Sequence, residues 1–156
     1  MGSTNNEIHP RGFKFIFWGE LAERSSYYGM RGILALYMIN ILGYAKDDAG
    51  PILHGFIAAC YFMPLFGGYL ADRWLGKFRT IILFSVPYIM GHVLLAVESR
   101  ATFYPALFLL ALGSGVIKPN ISPLMGKMYD EEGKSETIRS SAFTWFYTAI
   151  NIGAAA

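Results

Sequence analysis

Glu20, Glu23, Arg24 and Arg31 fall inside the run Glu20-Leu21-Ala22-Glu23-Arg24-Ser25-Ser26-Tyr27-Tyr28-Gly29-Met30-Arg31, whose surroundings are otherwise apolar. A charge at mid-bilayer costs about 2.5–3.5 kcal/mol, so four of them left unpaired would cost roughly 10–14 kcal/mol. A helix that only anchors would not carry them. At about 100° per residue, Glu20, Arg24, Tyr27 and Arg31 fall within an arc of about 60°. Glu23 lies about 60° to one side of Glu20, and Tyr28 about as far beyond Arg31. The outer face carries Trp18, Leu21, Ala22, Ser25, Ile33 and Leu36, which suit lipid. One polar stripe with both charge signs therefore predicts a helix whose ionisable face looks into a bundle and marks a proton or substrate path.

Further groups fit that chemistry. Lys118 sits in a fourth apolar stretch, and an ammonium at depth needs a carboxylate, which the helix-one acids would supply. Pro119 and Pro123 remove backbone hydrogen bonds and make that helix bendable. Arg31 lies two turns from Arg24 on the same face without an evident acidic partner, so it calls for an anion. Tyr27, Tyr28 and Tyr61 offer hydroxyls on flat apolar rings, and Asn151 both donates and accepts. His54 and Tyr61, seven residues apart, share a face of the second helix, and a histidine near its usual pKa of about 6.5 titrates in a useful range. His92 has no matching motif and reads as a packing residue. Tyr44, Tyr104 and Tyr129, near span ends, read as interfacial belt residues. No catalytic constellation occurs: there is no His-Glu-x-x-His, Asp72 falls at a span end, and no serine shares a face with a base.

The elements that must position these groups are membrane helices. Hydrophobic residues make up 54% of the 156 and charged residues 15%, against about 25% in soluble domains. A net charge of +2 without a dense basic cluster argues against nucleic acid. The single cysteine, Cys60, excludes an intrachain disulfide framework and a cysteine-based metal site. The polar start shows no cleavable signal, and Asn6 stands where a myristoylation signal needs Ser or Thr. The pattern predicts an all-α polytopic membrane bundle: a tail over 1–11, then a bundle over 12–156 with spans at 12–42, 51–73, 80–97, 101–128 and an incomplete one at 140–156. With the N-terminus in the cytoplasm, the inner segments hold Arg11, Lys14, Arg73, Lys77, Arg79, Lys127, Lys134 and Arg139, and the outer loops only Lys46 and Arg100. The positive-inside rule favours that orientation. Helical transporters are mostly built from repeated units, so the expectation is the N-terminal piece of a longer chain, inactive and poorly stable alone.

Four motifs carry a resemblance. Gly68-Tyr69-Leu70-Ala71-Asp72-Arg73-Trp74-Leu75-Gly76-Lys77 resembles the loop after the second helix of the major facilitator superfamily, with one extra residue between Arg73 and Gly76. Glu20-x-x-Glu23-Arg24-x-x-Tyr27-Tyr28-Gly29, Gly113-Ser114-Gly115-Val116-Ile117-Lys118-Pro119-Asn120 and Phe143-Thr144-Trp145-Phe146-Tyr147-Thr148-Ala149-Ile150-Asn151-Ile152-Gly153 resemble the helix-one, helix-four and helix-five signatures of the proton-dependent oligopeptide transporter family. Two positions depart from the pattern. Ser25 replaces an aromatic, which would loosen packing beside the charges, and Ala156 replaces a larger apolar residue.

The resemblance implies the N-terminal part of a twelve-helix fold that moves di- and tripeptides with protons by alternating access, in a cell membrane. It implies proton coupling by Glu20, Glu23, Arg24 and Lys118, with His54 added by the run His54 to Tyr61. It implies peptide binding by Arg31, Tyr27, Tyr28, Tyr61, Lys118 and Asn151, with Arg31 and Lys118 sharing the peptide carboxylate. Asp72 and Arg73 belong to the gating loop. No cofactor beyond the coupling proton is implied. The partners are small peptides, protons, lipid and the C-terminal half of the transporter. Transport of nitrate or a modified amino acid, and a non-transporting membrane sensor, are the alternatives.

Overall fold

The computed structural model describes residues 8–155, so Met1 to Glu7 of the tail and the departure at Ala156 lie outside the described residues. Five α-helices follow one another: α1 (Phe13–Asn40), α2 (Lys46–Leu70), α3 (Lys77–Leu95), α4 (Arg100–Glu131) and α5 (Glu136–Ala155). A single π-helical turn, Ala71–Leu75, extends α2. No strand occurs among the described residues. Helix α2 begins at Lys46, ahead of the expected start of the second span at 51, because Asp47 and Asp48 in its first turn favour the positive end of the helix dipole.

Three helical segments, Lys46–Leu75, Lys77–Leu95 and Arg100–Glu131, are long and apolar enough to cross a membrane by length and composition. Helices α1 and α5 do not reach that measure, although both were expected to span. The reason is physical: averaging counts a one-sided polar stripe as if every side met lipid. Helix α1 carries Lys14, Glu20, Glu23, Arg24 and Arg31, and α5 carries Glu136, Arg139, two serines, three threonines and Asn151.

The chain forms two compact units, one of Gly29–Ser122 and one joining the residues up to Tyr28 with those from Pro123 onward. In the first, α4 is the central element. Its stretch Gly113–Ile117 is wholly buried, and small residues let neighbouring backbones approach. A Cβ on Gly67 of α2 would lie 2.6 Å from Val116 Cα, and one on Gly113 would lie 2.5 Å from Tyr88 Cβ of α3. The neighbouring Gly68, which opens the loop motif, has open space around it. At the α1–α2 turn, Gly43 takes φ +68°. Arg100 holds the turn that follows α1 by donating Nε to Leu42 O at 2.6 Å and a second nitrogen to Gly43 O. Its guanidinium lies 4.5 Å from the centre of the Tyr44 ring.

In the second unit, α5 buries one face, Ala142, Phe146, Ala149 and Gly153. Gly153 meets α1 directly: a Cβ there would sit 2.6 Å from Arg24 Cβ and 2.9 Å from Leu21 O. Arg139 ties the α4–α5 connection to Asp130 at 3.2 Å.

Candidate functional site

The charged cluster Glu20, Glu23 and Arg24 sits on little more than one turn of α1. Arg24 donates Nε to Glu20 Oε1 at 2.6 Å, one helical turn away, and the same nitrogen lies 3.1 Å from Glu23 Oε2. All three residues are buried, Glu20 with 2% of its surface exposed. Arg24 therefore engages both carboxylates rather than one, and the trio keeps a net negative charge if both acids are ionised. Gly153 backs this arrangement. A side chain at 153 would displace α5 from the very turn that bears Arg24. Packing beside Ser25 is tight, since the same Cβ would come 3.1 Å from Ser25 N.

Tyr27 follows on the same face with 3% exposure, and its ring meets the half-buried Tyr28 edge-on at 5.3 Å. Asn151 lies on the face of α5 opposite the buried one, where it is exposed. That face also holds Ser140, Thr144 and Thr148, which the motif reading passed over. Thr144 donates its hydroxyl to Ser140 O at 3.1 Å, and Thr148 to Thr144 O at 2.9 Å. Spending the donor on the helix leaves outward lone pairs, so this face presents acceptors. Spacing at four residues was the available signal.

The other unit holds the remaining residues. Arg31 is half-buried and forms no ion pair among the described residues. Lys118 is half-buried on α4 and has interactions of its own. Two residues on, Asn120 is fully buried and donates its amide to Val116 O at 2.8 Å and Gly67 O at 3.2 Å. It clasps α2 to α4 beside Pro119, whose ring leaves the helix one donor short. Sequence reading missed Asn120 because its partner on α2 is 53 residues away.

His54 and Tyr61 are both exposed on α2. His54 Nδ1 lies 2.7 Å from Gly50 O, and a carbonyl only accepts, so Nδ1 carries the proton and Nε2 is the free basic nitrogen. His92 meets Tyr88 edge-on at 4.8 Å. Asp72 lies in the π-helical turn and takes a 2.6 Å contact from Lys77 Nζ, while Arg73 is exposed. Gly76, at φ +75°, reverses the chain between them. Tyr129 corrects an expectation. It is fully buried rather than interfacial, because its hydroxyl finds His9 Nδ1 at 2.6 Å.

Comparison with known proteins identifies the family. The sequence profile of the POT family matches residues 78–156. The chain belongs to the POT family. Solute carrier family 15 member 2 of Danio rerio is 41% identical over 155 residues, covering 93% of this chain and 21% of that protein. The solved POT family transporter PepTSo superimposes with a TM-score of 0.85 at 39% identity, covering 95% of this chain and 30% of that one. A POT family transporter solved with a thioalcohol-conjugated peptide gives 0.84 at 34% identity, covering 93% of this chain and 30% of that one.

The chain thus spans about a fifth of its curated relatives and about three tenths of the solved POT transporters. POT proteins are integral membrane transporters of the major facilitator fold, not enzymes. The five helices form the N-terminal part of that fold. Among the described residues no group of acidic, histidine and cysteine side chains is arranged to hold a metal ion.

Proposed function

We propose that this chain is the opening part of a symporter that carries di- and tripeptides with protons by alternating access. The observation that carries the reading is the buried Glu20–Arg24–Glu23 trio in a POT helix. Two carboxylates on one guanidinium form a group that gains by taking a single proton, since the second acid can keep Arg24 when the first is neutral. Lys118 on α4 is the cation that competes for the released carboxylate. Protonation shifts that balance and lets α1 and α4 part, with Pro119 and Pro123 as the compliant points. His54, with Nε2 outward, is a second proton carrier. The membrane potential would contribute about 2.3 kcal/mol per charge per 100 mV.

Peptide binding is assigned to Arg31 and Lys118 for the carboxylate and to Tyr27, Tyr28 and Tyr61 for surface and hydroxyls. Asn151 takes the backbone. Asp72 and Arg73 serve the gating turn on the cytoplasmic side. The protein resides in a cell membrane with its N-terminus in the cytoplasm.

The test is proton-driven dipeptide uptake into vesicles by the full-length transporter, with and without Glu20→Gln. Gln keeps the size and an acceptor but cannot lose a proton. We expect the variant to equilibrate peptide without concentrating it. Concentration against a gradient by the variant would remove Glu20 from coupling. Preference for nitrate or a single modified amino acid over dipeptide in a competition assay would replace the substrate.

A further inference from the structure

We propose that the cleft between the start of α1 and the middle of α5 binds an anionic phospholipid. A cavity of about 210 Å³ opens there, lined by His9, Phe13, Lys14, Phe17, Trp18 and Trp145. Its chemistry is amphiphilic: one ammonium, one imidazole and four aromatic rings. The two tryptophans keep 63% and 52% of their surface exposed at its rim. Large indoles left uncovered on a membrane helix suit the boundary between headgroup and acyl chain.

The cleft is distinct from the charged stripe. On α1, Lys14 and Trp18 lie about 120° and 160° around the helix from Glu20, so they face a different side. Along the axis Lys14 is about 9 Å from Glu20, one residue inside the start of the helix, and Trp18 is about 6 Å deeper than Lys14. Cation first, then indole, is the order in which a phosphate and its acyl chains meet a protein from the membrane surface.

The wall is already rigid. His9 Nδ1 is held by the buried Tyr129 hydroxyl at 2.6 Å, and its ring stacks on Phe13 at 4.6 Å. Phe13 in turn meets Tyr129 edge-on at 6.2 Å, and Phe17 meets Trp18 edge-on at 5.3 Å. Gly12 presses on α4, where a Cβ would come 2.7 Å from Met128 Sδ. Preformed walls lower the entropy that a ligand must give up on binding. Lys14 is exposed and in no ion pair among the described residues, so its charge is available. Arg11, also exposed, adds a second cation nearby in the chain. A soluble anion would gain nothing from the four rings, and a neutral lipid nothing from the cations. An anionic phospholipid uses both. The cytoplasmic leaflet supplies such lipids, and the proposal rests on the orientation given above only for that point.

The experiment uses the purified full-length transporter in an uncharged detergent, so its outcome does not depend on orientation or transport. Thermal unfolding is followed while phosphatidylglycerol, phosphatidylcholine or inorganic phosphate is titrated in. We expect phosphatidylglycerol to stabilise at about fivefold lower concentration than phosphatidylcholine, the preference one lysine at a lipid surface supplies. Inorganic phosphate should have no effect. Lys14→Gln should remove the preference, and Trp145→Leu should weaken both lipids while keeping an apolar side chain. Trp74→Ala, an exposed indole outside the cleft, should change neither. Equal stabilisation by the two lipids, a preference that survives Lys14→Gln, or stabilisation by phosphate alone would each overturn the proposal.

Discussion

Arg24 carries an unusual burden for one side chain, because two buried carboxylates depend on it. Removing a partner from a buried ion pair leaves an uncompensated charge and costs about 3–5 kcal/mol, whereas replacing the whole group by neutral residues is close to neutral. The side chain of Arg24 is 10% exposed and that of Glu20 2%, so solvent offers little relief. We therefore expect Arg24→Met to lower stability by about 3–5 kcal/mol, measured as thermal unfolding of the detergent-purified transporter. Adding Glu20→Gln and Glu23→Gln to that variant should recover most of the loss. A triple variant as unstable as the single one would mean that the packing of the Arg24 stem against Gly153, not its charge, holds the two helices. Arg24→Lys is the informative intermediate. It keeps the charge but lacks the Nε–H group that meets both acids.

At the scale of the helix, backbone approach decides what each position tolerates. Gly67 and Gly55 lie on α2 in similar local structure, yet their surroundings differ. A Cβ at 67 would fall 2.6 Å from a backbone carbon of α4, while one at 55 meets nothing within 4 Å. Gly67→Ala should cost about 1–3 kcal/mol by overpacking. Gly55→Ala should gain about 0.5–1 kcal/mol from helix propensity. Thermal unfolding of both variants checks the contrast, and equal effects would contradict the α2–α4 packing. The same distinction explains what could be read beforehand. Glu20, Glu23, Arg24 and Tyr27 were legible as one face because helical periodicity is local and the polar residues interrupt an apolar run. Tyr129 and Asn120 were not, since their partners are 120 and 53 residues away in the chain. Only the fold brings His9 to Tyr129, and so a residue near a span end became a buried one. The start of α2 was obscured for another reason: a hydropathy window stops at Lys46, Asp47 and Asp48, but a helix does not.

For the molecule as a whole, charge distribution is the ground for the proposed orientation. If successive helices cross the membrane in alternate directions, Arg73, Lys77, Arg79, Lys127, Lys134 and Arg139 fall at or beside the two connections expected on the side of the N-terminal segment. The alternate connections, 41–45 and 96–99, adjoin only Lys46 and Arg100. Arg100 is moreover committed to the carbonyls of the turn after α1, so its charge is partly spent within the fold. An excess of Lys and Arg in short loops keeps those loops in the cytoplasm. The side bearing Lys134 should then be inaccessible from outside the cell. Cys60, the one cysteine of this sequence, is buried, and it is replaced by alanine together with any cysteine in the remainder of the full-length transporter before single-cysteine labelling. Lys134→Cys should react with an impermeant maleimide only after permeabilisation, and Glu98→Cys should react in intact cells. Glu98 is exposed at φ 54°, a conformation that favours no β-branched substitute, so a small side chain such as cysteine disturbs that turn least. Labelling of position 134 in intact cells would invert the orientation. The anionic-lipid cleft would then face the outer leaflet, and the direction of the proton-driven step would reverse with it.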